Sequence, residues 1–299
     1  MNMRKIIRGF LLLGAYLWKM SELIIKPKKL SSEAVLKMEE RRGRFNKEFY
    51  KNIKRTKFQI LSYFSYDISC ELFEAKEIKE GKIAILSHGF SRSKYGCLIY
   101  GEIYLKMGYR VIMYDHRNHG LSGEAYTSMG HYEKYDLKRV VDWCCSRYGK
   151  DCDIVTHGES MGAATVLLHL DIDDRIKCVV ADCGYSDLTN LIRHQIKVYY
   201  KLPRFLVKIE SIITYIRAGF RYSDVSPIKA VEKSDTPILF IHGKRDRYVP
   251  TYMSKDMYKA KKDNKALYLV AEAKHAQSYI KNKEGYEEKV RNFVNRHIV

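Results

Sequence analysis

The 299-residue chain predicts an α/β fold built on a mostly parallel, doubly wound sheet. Short apolar runs at 82–87, 109–114, 153–156, 176–181, 237–241 and 266–270 are separated by spacers of helix length. That alternation brings strands together through crossovers rather than hairpins. The pentad Gly158-Glu159-Ser160-Met161-Gly162 ends one run and opens the small, helix-compatible stretch Ala163–Leu168. Two later runs are followed by an acid, Asp246, and an imidazole, His275. A 46% apolar fraction and five prolines agree with an ordered globule, and the length suits one full-sized core with a short appendage.

Residues 1–57 read as a basic N-terminal helical extension, and 58–299 as the α/β domain. Gly9–Trp18 carries no charge and is bracketed by Arg4, Lys5, Arg8 and Lys19. A bilayer span needs about 20 apolar residues, and no small-x-small cleavage site follows at Met20-Ser21-Glu22. Three readings stay open: a membrane-associated or anchored helix with Arg8 and Lys19 snorkelling, a helix docked on the domain, or a signal segment. The formal charge is +19, and residues 1–60 hold 16 Lys/Arg against 5 Glu. No basic face interleaved with stacking aromatics and no reading motif accompanies it, so nucleic acid is not expected as a partner. An anionic membrane surface is the sharper candidate, and lysine-rich solubility the plainer one.

The run 82–87 leads into His88-Gly89-Phe90-Ser91, where Gly89 allows a turn that aims the Phe90 N–H inward. The run 109–114 leads into Asp115-His116-Arg117-Asn118-His119-Gly120-Leu121-Ser122-Gly123. The run 153–156 leads into the pentad, whose G-x-S-x-G spacing at a strand-to-helix junction lifts a serine hydroxyl above the sheet. A serine hydroxyl needs a base to take its proton and an acid to hold the base. Serine, acid and histidine are expected in that chain order, which gives Ser160, Asp246 and His275. Asp182, directly after the run 176–181, is the alternative acid. His88, His157 and His242 each precede a glycine and read as loop braces. The N–H groups of Met161 and Phe90 are the expected oxyanion donors.

Between 181 and 238 lies more chain than one crossover requires. Residues 185–225 are expected to fold as two or so helices, broken at Leu202-Pro203, forming a lid over the site. Its tyrosines and basic side chains would suit an amphipathic acyl or aryl ester, including one with negative charge. The seven cysteines have no metal-ligand spacing and favour a reducing compartment. A membrane-associated or cytoplasmic location follows, with oligomeric state left open.

These residues resemble the α/β-hydrolase superfamily over roughly 58–299. Asp115–Gly123 is similar to its D-x-R-G-H-G-x-S turn, with Asn118 in place of glycine; asparagine tolerates positive φ next best. Tyr185-Ser186-Asp187-Leu188, Arg217-Ala218-Gly219-Phe220 and Asp224-Val225-Ser226-Pro227-Ile228 resemble a group of bacterial hydrolases labelled membrane-bound or cell-surface. The resemblance implies a cofactor-free, metal-free serine hydrolase acting on a small-molecule ester or acyl substrate. A peptidase of the prolyl-oligopeptidase kind and a non-catalytic membrane-surface protein are the alternatives.

Overall fold

The computed structural model describes the backbone of residues 3–298 and the side chains of residues 14–298. The N-terminal segment folds as α1 (Met3–Ile25), α2 (Ser32–Arg41) and α3 (Lys47–Asn52). An antiparallel pair follows, β1 (Lys54–Leu61) and β2 (Asp67–Glu74). Strands and helices then alternate: β3 (Lys82–Ser87), α4 (Leu98–Lys106), β4 (Arg110–Tyr114), α5 (Glu133–Tyr148), β5 (Asp153–Glu159), α6 (Met161–His169) and β6 (Ile176–Asp182). Three helices, α7 (Leu188–Gln195), α8 (Leu206–Ala218) and α9 (Pro227–Lys233), intervene before β7 (Ile238–Gly243). The chain ends with α10 (Tyr252–Ala260), β8 (Lys265–Val270), α11 (Ser278–Lys281) and α12 (Lys283–His297).

The sheet order is β1-β2-β4-β3-β5-β6-β7-β8, parallel from β4 to β8. Its parallel strands are apolar runs because both faces are covered. Alternate residues such as Ile83, Ile85, Ile154 and Val179 pack under α5 and α6, while Ala84, Leu86, Val155 and Val180 pack under α4 and α12. The chain reverses its winding between β3 and β5, and open sheets leave a crevice at such a point outside the carboxyl ends of the strands.

The strands β1 and β2 were not among the expected runs. β1 begins at Lys54, across the expected boundary at 57/58. Its first four residues, Lys54, Arg55, Thr56 and Lys57, are all exposed and polar, so it lacks an apolar run. In β2 the buried positions include Ser69 and Glu71; Glu71 accepts from Tyr95 Oη (2.8 Å), a partner distant in sequence. The expected helix break falls at Lys201–Pro203, after one π-helical turn at Ile196–Tyr200; Lys201 has φ 53°. The turn at Asn118 also has positive φ (56°), and Asp115 stitches it by accepting from the Leu121 N–H and from Lys94 Nζ.

The C-terminal part of α1 docks on the domain. Leu17, Ser21 and Ile25, one helical stripe, are buried. Arg217 on α8 donates to Trp18 O and Ser21 Oγ (2.6 Å each) and pairs with Glu22 (2.9 Å). Among the described residues no helix is long and apolar enough to cross a membrane. The side chains of Gly9–Leu13, the first half of the apolar segment, lie outside the described residues.

Candidate active site

Ser160 sits between β5 and α6 with φ 57° and ψ −113°, a conformation a non-glycine residue holds only when its surroundings enforce it. The flanking glycines make the turn feasible. A Cβ on Gly162 would lie 1.9 Å from Ser87 O, and one on Gly158 would lie 2.2 Å from Gly162 O. The Ser160 N–H donates to Asp182 O at 2.8 Å, pinning the elbow to the neighbouring strand.

His275, on the loop after β8, places Nε2 3.0 Å from Ser160 Oγ. Its Nδ1 is 2.7 Å from Asp246 Oδ2. Asp246, on the loop after β7, accepts from the N–H groups of Tyr248 and Val249 at 2.9 Å through its other oxygen. Burial would raise the Asp246 carboxyl, but hydrogen bonds from His242 and His275 outweigh it and bring it down to about 2. An ionised acid therefore faces the imidazole Nδ1. His242 also donates Nε2–H to Val249 O (2.9 Å) and accepts at Nδ1 from Ser254 Oγ (2.7 Å), which fixes the Asp246 loop.

Asp182, the alternative acid, is turned elsewhere. It accepts from Tyr286 Oη (3.1 Å) and Ser278 Oγ (3.3 Å), and burial lifts its carboxyl to about 6. His88 and His157 serve as braces: His88 Nε2 accepts from the His116 N–H, and His157 lies between the hydroxyls of Tyr104 and Tyr286. Cys183 comes near enough to Asp246 and His275 for the three to be weighed as metal donors. Burial pushes its thiol well up, and both imidazole nitrogens are already engaged with Asp246 and Ser160, so the arrangement fits proton transfer rather than ligation.

Met161 is the first residue of α6, so its N–H is among the helix donors without an intrahelical acceptor. The loop His88–Ser91 lies against the elbow, since a Cβ on Gly89 would be 3.6 Å from Ser160 Cβ. The Ser91 N–H donates to His119 Nε2 at 3.1 Å and holds that loop. Phe90 and Ser160 line the same cavity.

The cavity has a volume of about 110 Å³ and is mainly apolar. The lid helices supply Leu191, Ile192 and Ile196, and α1 supplies Met20, Leu23 and Ile24. Among the described residues none of its walls is Lys or Arg, which corrects the expectation of a basic lining. Lys197, Lys201, Lys208 and Arg221 are exposed, and Arg217 is committed to α1. A larger open depression, about 1130 Å³, lies around α3 and Lys76–Lys79 and shares no residue with this cavity.

A second tie was not legible in the sequence. Arg44, 2% exposed, donates to Glu159 Oε2 (2.6 Å) and to Ala276 O (3.0 Å). It thereby joins the residue before Ser160 to the residue after His275. Glu159 also accepts from Tyr100 Oη (2.5 Å). Burial would raise the Glu159 carboxyl, but the Arg44 guanidinium outweighs it and holds the group below its ordinary value. A charged residue inside a buried elbow signals a missing cation, yet nothing local names Arg44 as that cation.

Over residues 101–299 the chain matches the prolyl oligopeptidase family. It is 34% identical over 277 residues to the uncharacterised protein YqkD of Bacillus subtilis (strain 168), covering 92% of this chain and 90% of that one. Its fold is similar to that of the Pyrococcus furiosus esterase Pf2001, with TM-score 0.72, 24% identity and coverage of 92% and 99%. The Pyrococcus horikoshii acylaminoacyl peptidase is similar as well, with TM-score 0.64, 16% identity and coverage of 85% of this chain and 44% of that one. The chain belongs to the prolyl oligopeptidase family and is a serine hydrolase with the α/β-hydrolase fold.

Proposed function

We propose that the protein cleaves carboxylic esters of small molecules through an acyl-enzyme formed on Ser160. The single observation behind this reading is the unbroken relay from Ser160 Oγ through His275 to Asp246, at 3.0 and 2.7 Å, opening on an apolar cavity. Ser160 Oγ attacks the ester carbonyl while His275 Nε2 takes its proton. Asp246 keeps Nδ1 protonated and stabilises the imidazolium. The N–H groups of Met161 and Phe90 hold the developing oxyanion. His275 then returns the proton to the departing alkoxide, and water, activated by the same imidazole, releases the acid. The helices of residues 185–225, with α1, form the lid that keeps bulk water from the acyl group.

The family match favours a second reading, cleavage of peptide amides by the same groups. Turnover of matched p-nitrophenyl esters and short peptide amides decides between the two. Ester cleavage is expected to dominate in kcat/KM; the reverse order assigns a peptidase. Ser160→Ala is expected to lower turnover by roughly 10³-fold or more with the fold intact. Retained activity in that variant removes Ser160 as the nucleophile, and no fluorophosphonate adduct on Ser160 in the wild type leaves a non-catalytic surface-interaction protein.

A further inference from the structure

One ionisable group in the Ser160 cavity, a carboxyl, has no part in the relay. Glu210 stands on the inner face of α8 beside Leu206, Val207 and Thr214, and is 2% exposed. Neither of its carboxyl oxygens has a hydrogen-bond partner. It is the one carboxyl lining the cavity among the described residues. Arg217 acts on it through space, but the guanidinium donors go to Trp18, Ser21 and Glu22 on α1. Leaving a buried polar group unpaired is costly, more so if it is charged, so it calls for a reason. A ligand that completes the hydrogen bonding is such a reason.

We propose that Glu210 is a specificity-determining residue that receives a hydrogen-bond donor, a hydroxyl or an ammonium, carried on the otherwise apolar acyl arm of the substrate. The proposal rests on Ser160 being the nucleophile, since both residues line one cavity. Apolar walls alone separate a plain chain from its hydroxylated analogue only weakly, whereas a site built around a polar group rejects an analogue that leaves the group unpaired. Burial raises the Glu210 carboxyl to about 7, so near neutrality it can accept from the substrate in its ionised form or exchange hydrogen bonds with a hydroxyl in its neutral form. An arm ending in a carboxylate meets a like group and no cation, and is excluded.

The test uses alkyl fluorophosphonates whose arms run from butyl to octyl and end in methyl, hydroxyl, ammonium or carboxylate. Ser160 labelling rates are measured for the full chain, for Glu210→Leu and for Ser160→Ala. At one arm length the wild type is expected to react about tenfold faster with a hydroxyl or ammonium arm than with the methyl arm. Glu210→Leu is expected to lose that preference, read as the ratio of donor-arm to methyl-arm rates within the variant. The two donors are told apart by pH. Preference for ammonium grows as Glu210 ionises through about pH 7, and preference for hydroxyl stays nearly flat. Identical arm ratios in wild type and Glu210→Leu at every length overturn the proposal, and a fastest carboxylate arm does so too. Absence of any Ser160 adduct in the wild type instead overturns the nucleophile assignment, and the proposal with it.

Discussion

The convergence of Ser160, Asp246 and His275 is legible in the sequence because each lies a few residues past an apolar run, and in a parallel sheet the ends of such runs meet at one edge. Chain order favours Asp246 over Asp182, but both follow a strand, and it is their hydrogen-bond partners that separate them. Asp246→Asn is expected to leave the imidazole free to adopt the wrong tautomer and to lower kcat by about 10⁴-fold, the scale seen when a triad acid becomes an amide. Asp182→Asn keeps one amide oxygen to accept from Tyr286, and the Ser278 hydroxyl can turn to accept from the new NH2, so kcat should change by less than about tenfold. Ester turnover of the two variants side by side checks this, and equal losses would reassign the acid. Gly162→Ala is a test of the backbone. Its Cβ would collide with the carbonyl oxygen of Ser87 in β3, which cannot rotate away. A loss of about 3 kcal/mol or more, or failure to fold, is expected in urea titration.

At the scale of elements, the parallel strands were legible because burial on both faces makes them apolar, while β1 and β2 were hidden by charge on an exposed edge and by buried polar groups with distant partners. The N-terminal segment was legible as helical and basic, but its purpose depends on docking. Ile25 O accepts from the Thr127 N–H, and α1 walls the cavity beside Ser160. Arg44 gives this region a further role, since buried ion pairs to Glu159 and Glu39 and a carbonyl bond are made by one guanidinium. Arg44→Met leaves Glu159 and the equally buried Glu39 uncompensated, with an expected loss of about 3–5 kcal/mol. Adding Glu159→Gln removes one of the two stranded charges and should restore part of that stability. Turnover should stay low in the double variant, because the tie to Ala276 beside His275 is still missing. Urea midpoints and kcat measured on both variants separate the two effects; recovery of kcat together with stability would make Arg44 a purely structural residue.

For the molecule as a whole, buried titratable groups set how stability follows pH. Burial drives His88 well below its ordinary value and brings His116 and His157 to about 3; His119 and His169 are lowered in the same way. Between about pH 4 and 6.5 the unfolded chain protonates His116 and His157 and the native state does not, and the other lowered imidazoles act in the same direction. The unfolded state then binds more protons, so stability rises with pH across that window. Buried carboxyls act with the opposite sign. Burial lifts Asp182 to about 6 and Glu210 to about 7, and the native state keeps these protons after the unfolded chain has released them. Their stabilising share is complete below about pH 4 and is lost as pH climbs through the raised values. Asp246, held down to about 2, adds to the acid-side loss only below about pH 4. Because the imidazoles outweigh the carboxyls, the wild-type Tm is expected to climb from about pH 4 to 6.5. The Glu210 share can be isolated by difference. Glu210→Gln and wild type should melt together near pH 4, and the variant should gain several degrees by about pH 8, where the wild-type carboxylate is charged, buried and unpaired. Melting curves at constant ionic strength give this difference directly. A gap that stays constant across the range would mean that Glu210 does not change its ionisation on folding.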